Sequence, residues 1–166
     1  MNLEYEFSNS QTTPLDSLDL KNFKGLKFFA IDEAYKVKAK LTRFNNPIVF
    51  DLICSHDSKK PYKNFGKINF ELKGKEFELT LLESANKKPG FEKYLLVCFT
   101  DETSGKETFS NGRYIDFEIP KTDEIEIDFN LAYNPYCAFS GRYSCPIPPK
   151  ENNLNIEVKA GEKFIY

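Results

Sequence analysis

Arg113 is the residue whose position most demands a partner. It lies in Gly112-Arg113-Tyr114-Ile115-Asp116-Phe117-Glu118-Ile119, where apolar and polar side chains alternate with the period of a strand. Arg113 is in phase with Ile115 and Phe117, so its guanidinium falls at a strand end on the apolar side. A charge placed there must be paired, either with an internal Asp or Glu or with the carboxylate or phosphate of a ligand. Asp116, Asp128 and Glu151 are the carboxylates nearby in sequence that could act as acid, base or orienting group. Asp116 and Asp128 are out of phase with their apolar neighbours and should face away from the apolar side. Cys137 is the candidate thiol nucleophile. Tyr114, Asn130, Tyr133, Asn134, Tyr143, Cys145 and Asn152 supply hydroxyl, amide and thiol groups able to contact a ligand.

Cysteine and histidine usage narrows the chemistry. The four cysteines are Cys54, Cys98, Cys137 and Cys145, and His56 is the one histidine. A zinc site with two or three His ligands is therefore impossible within one chain. Cys137 and Cys145 are seven residues apart, which is neither C-x-x-C nor a zinc knuckle, so no metal is expected. Cys98 lies inside the run Tyr94 to Phe99 and reads as a small core residue. Cys137 and Cys145 lie in a polar, Pro-rich stretch where thiol chemistry competes with simple burial. His56 sits in Ser55-His56-Asp57-Ser58. It could be a base oriented by Asp57, but an exposed turn histidine is the simpler reading. No G-x-S-x-G, P-loop or G-x-G-x-x-G is present.

The elements that must position these groups read as strands. The 166 residues suit one domain, large enough to need no disulfide or structural metal. Sixteen Phe and nine Tyr favour pleated, half-buried surfaces. Residues 1–24 read as an irregular N-terminal arm, followed by a short apolar β stretch from Leu26 to Ile31. Tyr35 to Leu41 alternates, and Ile48 to Cys54 is a further apolar run; Ser55 to Pro61 reads as a turn or loop. Residues 67–83 alternate on either side of Gly74 and predict a β-hairpin. Tyr94 to Phe99 predicts a central strand covered on both faces. Ile115 to Ile119, Ile125 to Phe129, and a last strand through Leu154, Ile156 and Val158 complete the set, with no helix expected. The expected fold is all-β: one barrel-like or sandwich domain of about eight to ten mainly antiparallel strands. Residues 132–149 form a long loop rich in Pro, Tyr and Cys, too aromatic for disorder and therefore ordered and packed.

Several of these segments, in this order, resemble the DUF1684 family: Asp101-Glu102-Thr103-Ser104-Gly105-Lys106-Glu107-Thr108, Gly112 to Asp116, and Asp128-Phe129-Asn130-Leu131-Ala132-Tyr133-Asn134-Pro135. Cys137 to Ser140, Cys145-Pro146-Ile147-Pro148-Pro149, Glu151-Asn152-Asn153-Leu154 and Ala160-Gly161-Glu162 extend the likeness, which runs from about Phe23 to the C-terminus. Phe139 stands where Tyr is common in the family. The resemblance implies a prokaryotic protein and a family without an assigned function, so it brings no catalytic residues or cofactor. It does mark the 113–162 region as a hallmark.

Net charge is −2, which gives no electrostatic reason to expect nucleic acid or an anionic membrane. The N-terminus lacks a secretory pattern and no run is long enough to span a bilayer, so the default expectation is cytoplasmic. Homo-oligomerisation is left open. Three function classes follow. The first is a pocket in the 113–162 region that binds or acts on a small anionic molecule. The second is a non-catalytic structural or interaction domain whose motif residues lock the loop. The third, a flavin-binding split barrel, rests on analogy alone. The pocket requires Arg113, Asp128, Tyr133 and Cys137 to converge on one concave, solvent-reachable site.

Overall fold

The computed structural model describes residues 3–164. Eight strands form one sheet curled into a half-barrel: β1 (Lys36–Arg43), β2 (Val49–Ile53), β3 (Lys59–Leu72), β4 (Lys75–Ser84), β5 (Tyr94–Asp101), β6 (Arg113–Glu118), β7 (Glu124–Asp128) and β8 (Asn153–Leu154). The order is β6-β5-β4-β3-β1-β7, with β2 on β3 and β8 on β5. All pairings are antiparallel except β5 with β8.

The expected hairpin is β3–β4. Its two-residue turn is Lys73-Gly74, both at positive φ, and Leu72 faces Lys75. That conformation suits the right-handed twist of the flanking strands. β5 is apolar from Tyr94 to Phe99, and both of its faces are covered. Leu95, Val97 and Phe99 enter the main core with Ile68, Phe70, Leu79, Leu81, Ile115, Ile127 and Phe129. Leu96 and Cys98 enter a second cluster with Leu52, Tyr62, Leu82 and Tyr114 on the other face.

β3 serves both cores by changing phase. Its register against β4 slips between Asn64 and Gly66. Tyr62 therefore joins the second cluster, while Ile68, Phe70 and Leu72 join the first. An extra residue in one strand produces this inversion.

Four expectations need correction. The N-terminal arm contains two helices, α1 (Leu3–Ser8) and α2 (Ser17–Asn22). Six residues are too few to stand alone or to display a helical stripe; they are held by burial of Phe7 and Leu15 with Leu26. The segment at 55–61 is only partly a turn: His56 and Asp57 take positive φ, and β3 then begins at Lys59 and runs through Pro61. The Leu26–Ile31 stretch makes a single bridge, Phe28 to Glu162, and Ile31 is exposed. The last strand is only Asn153–Leu154, although Val158 and Leu154 are fully buried.

Candidate functional site

Arg113 and Tyr114 are adjacent in β6 and point to opposite faces of the sheet, which divides the 113–162 region into separate sites. On the main-core face Arg113 is 1% exposed. Its Nη2 donates to Asp101 Oδ2 at 2.8 Å and to the Val158 carbonyl at 2.8 Å. Its Nη1 donates to the carbonyls of Ala160 and Glu162, and the guanidinium lies over the Phe99 ring. Burial holds its pKa below the ordinary arginine value, against the opposing pull of Asp101. Asp101 is itself buried and accepts from the Thr103 N–H at 2.7 Å and the Thr103 hydroxyl at 2.6 Å. The guanidinium thus holds the 158–162 segment against β5 and β6. Of the two partners foreseen for it, the internal carboxylate is the one present.

Gly161 lies in this segment at φ +76°, where a Cβ would collide with the carbonyls of Ala132 and Phe129. The chain can therefore pass closely enough for Glu162 Oε2 to accept from the Asn134 N–H at 2.9 Å. Glu162 is 2% exposed, and burial pushes its carboxyl up to about 7. Its Oε1 and the Asn134 Oδ1 are both acceptors without a donor. The folded protein keeps this proton up to about pH 7, whereas the unfolded chain releases it near the ordinary value of 4.5. Folding therefore binds a proton between those values, and the stability contributed by Glu162 falls as pH rises through that window. Glu162→Gln keeps the acceptor and supplies an N–H donor. Urea unfolding should find it close to wild type at pH 4.5 and about 2 kcal/mol more stable at pH 8. A difference that does not change with pH would contradict this.

Asn152 is fully buried beside the same elements. Its Oδ1 accepts from the Thr80 N–H at 2.7 Å, and its Nδ2 donates to the carbonyls of Thr80 and Cys98 at 2.9 Å each. β4 and β5 pair only at Leu82–Leu96. Beyond that rung the Asn152 amide stands in for the ladder between Thr80 and Cys98.

On the opposite face, Asp116 is exposed and accepts from the Tyr94 hydroxyl at 2.8 Å and the Tyr133 hydroxyl at 2.6 Å. Burial first, and the Asp116 charge next for Tyr94, push both phenols above the ordinary tyrosine range. Tyr114 exchanges backbone hydrogen bonds with Tyr133 and donates its hydroxyl to the Pro146 carbonyl at 2.5 Å. This ties the 132–149 loop across the second cluster. The arm clasps the loop from outside: Phe7 packs edge-on against Phe139 at 4.7 Å, and Arg142 donates to the Pro14 carbonyl at 2.9 Å.

Beneath the loop three half-buried or buried thiols gather near the start of β3. Cys54 bridges to Pro146, and the Ser55 N–H donates to the Cys145 carbonyl at 2.9 Å. The Cys145 N–H donates to the Ser55 hydroxyl oxygen at 2.9 Å. The Cys145 thiol and the Ser55 hydroxyl lie near enough to the Cys137 thiol to bear on its ionisation. The Cys137 thiol is held down to about 7 chiefly by the Cys145 thiol, against a burial cost. Cys145 is pushed well above the ordinary thiol value, first by the neighbouring Cys137 thiol and next by burial. Lys60 donates to the Ser144 carbonyl at 2.5 Å and lowers the cost of negative charge at Cys145 and Cys54.

The geometry does not bring together the four groups the pocket required. Arg113 faces the main core. Asp128 caps a 3₁₀ turn at the far edge of the sheet, where it accepts from the N–H and the side chain of Asn130. Asn130 in turn holds the backbone of Asp32. Tyr133 and Cys137 share the second face. Glu151 and His56 are exposed, and Tyr143 stacks edge-on with Tyr136 at 5.2 Å. A surface depression of about 900 Å³ lies along β1, β3, β4 and β7, away from Arg113. Sequence reasoning missed Asp101, Glu162, Ser55 and Lys60 as partners. For Asp101 a signal existed in the Asp-x-Thr turn that follows β5.

The profile of the DUF1684 family, a protein of unknown function, matches residues 21–163. The chain belongs to the DUF1684 family. The match spans Arg113, Asn152 and both loop cysteines, and begins within α2. No curated protein matches. Among solved structures, the DUF1684 chain is similar to the solution NMR structure of an uncharacterized protein of Haloarcula marismortui. The two are 35% identical, with a TM-score of 0.77, covering 98% of this chain and 88% of the other. Among the described residues no helix is long and apolar enough to cross a membrane.

Proposed function

We propose that this domain acts on a small reactive molecule through the Cys137 thiol, displayed by a loop that the motif residues lock in place. One feature carries the reading: Cys137 is half-buried in the loop, and the neighbouring Cys145 thiol and Ser55 hydroxyl hold its pKa down to about 7. A thiolate at that pH is a competent nucleophile. Lys60, beside the pair, supplies a positive charge that Arg113, turned inward, does not offer to solvent. Thus an anionic or polarised electrophile fits the site better than an apolar one. Facing the pair are Cys54, whose charge opposes ionisation of Cys137, Lys60, and the buried Tyr114.

The alternative is a non-catalytic domain. It draws support from the inward pairing of Arg113 and Asn152, which serves the fold alone. The two readings part on reactivity. Iodoacetamide labelling followed by peptide mass analysis should modify Cys137 first, with a rate that is half-maximal at about pH 7. Cys137→Ser should remove the fast phase and leave the unfolding midpoint close to wild type. Labelling that becomes appreciable only near pH 9, or that favours no cysteine, would leave the locking reading standing.

A further inference from the structure

We infer that the cleft between the N-terminal arm and the 162–164 segment is a second site, which seats a small organic ammonium ion against Glu162. The cleft holds about 420 Å³. Its apolar wall comes from Leu15 and Phe23 of the arm, Leu26 just beyond it, Phe139 of the loop and Phe164. Two of the motif segments, Cys137 to Ser140 and Ala160-Gly161-Glu162, contribute to it through Ala138, Phe139 and Glu162. Glu162 is the most deeply buried member of the wall. Cys137 does not line the cleft, so its occupation is measured apart from thiol reactivity.

The chemistry of the ligand follows from what Glu162 lacks. Its Oε2 accepts from the Asn134 N–H at 2.9 Å, and the Asn134 side-chain Nδ2 is committed to the Lys163 carbonyl at 3.0 Å. Glu162 Oε1 and Asn134 Oδ1 are left as buried acceptors, and among the described residues neither meets a donor. Such groups cost stability, and folds keep these exceptions chiefly at functional sites. Arg113 does not supply the lost compensation, because its charge is paired with Asp101 at 2.8 Å. A primary ammonium has three donors and no acceptor, so it serves Oε1 with donors to spare and offsets the carboxylate charge. A hydroxyl brings one donor and no charge. The walls then ask for an apolar body on the ammonium, which Phe23, Phe139 and Phe164 flank. Lys24 and Lys27 at the rim are exposed beside Asp19, and the Lys163 ammonium lies over the Phe29 ring at 4.5 Å. Water screens the exposed charges more than the buried carboxylate. Oε1 is closed to solvent, so the head group enters as a half-buried side chain of the wall, such as Phe139 or Phe164, rotates.

The test titrates the ¹⁵N-labelled full chain with benzylammonium chloride at pH 8 and follows the amide spectrum, with benzyl alcohol as the uncharged probe of the same shape. Benzylammonium should give saturable shifts at the amides of Asn134, Phe139, Glu162 and Lys163. It should bind at least about tenfold more tightly than benzyl alcohol. Glu162→Gln supplies its own N–H donor and removes the charge. This variant should keep the dispersed spectrum of the folded chain and lose that tenfold preference. Phe139→Ala, which shortens the wall but keeps Glu162, should weaken both probes alike. No saturable shift, or shifts confined to other parts of the chain, overturns the site. Equal affinity for the two probes, or an undiminished preference in Glu162→Gln, overturns the ammonium seat. A water cross-peak to the Asn134 amide without any ligand shift would show a bound water only, and overturns it too.

Discussion

Arg113→Met is expected to lower the unfolding free energy by about 3–5 kcal/mol in urea titration at pH 7, the range for removing one partner of a buried ion pair. Methionine fills much of the same volume, so the loss is chiefly one of charge and hydrogen bonds. Asp101 stays behind, 6% exposed as a residue, with Thr103 and the Val158 N–H as its remaining donors among the described residues. The Val158 and Ala160 carbonyls lose the guanidinium that caps them. Adding Asp101→Asn removes the stranded charge, so the double variant should recover part of the loss and the two substitutions should not add. A cost below about 1 kcal/mol for the single change would mean that the pair contributes little.

Asn152→Ala should cost about 3 kcal/mol or more, because three buried main-chain groups lose their partner together. The Thr80 N–H, the Thr80 carbonyl and the Cys98 carbonyl sit where β4 and β5 no longer pair, so no neighbouring strand can take over. Hydrogen exchange gives a local readout beside the global one: the Thr80 amide should lose protection by more than amides at the Leu82–Leu96 rung. Asn152→Asp keeps the acceptor but loses both donors and buries a charge, so at pH 7 it should be the worse variant and should improve on acidification. If Ala and Asp behaved alike at every pH, the amide would not be acting as a ladder substitute.

What the sequence disclosed, and what it withheld, follows the range of the interactions. The hairpin around Gly74 and the doubly covered β5 were legible because their signals are local: alternation about a Lys-Gly turn, and six apolar residues in succession. That Arg113 lies on the apolar side of its strand was legible from parity. Its partners were not, since Asp101 and the 158–162 segment are brought to it by topology. The same parity already separates Arg113 from Tyr114, and so from Tyr133 and Cys137. A single convergent pocket would have needed the chain to cross the sheet. The short helices escaped notice because packing of Phe7 against the loop, not periodicity, sustains them. The proximity of Cys137, Cys145 and Ser55 depends on a loop without regular structure lying over β2 and β3, and no spacing rule encodes that.

The slip between Asn64 and Gly66 gives the chain a reading frame in three dimensions. Residues 59–64 and 67–72 occupy one strand, yet each half is in step with a different core. Deleting the single residue Phe65 would bring the two halves into one frame. Tyr62 and Ile68 would then be an odd number of residues apart and would keep their opposite faces, so the change would cost the packing of Phe65 on the main core and leave Tyr62 beneath the thiol loop. A one-residue deletion should therefore be tolerated at the slip and nowhere else in this strand, where it would turn one half to the wrong core.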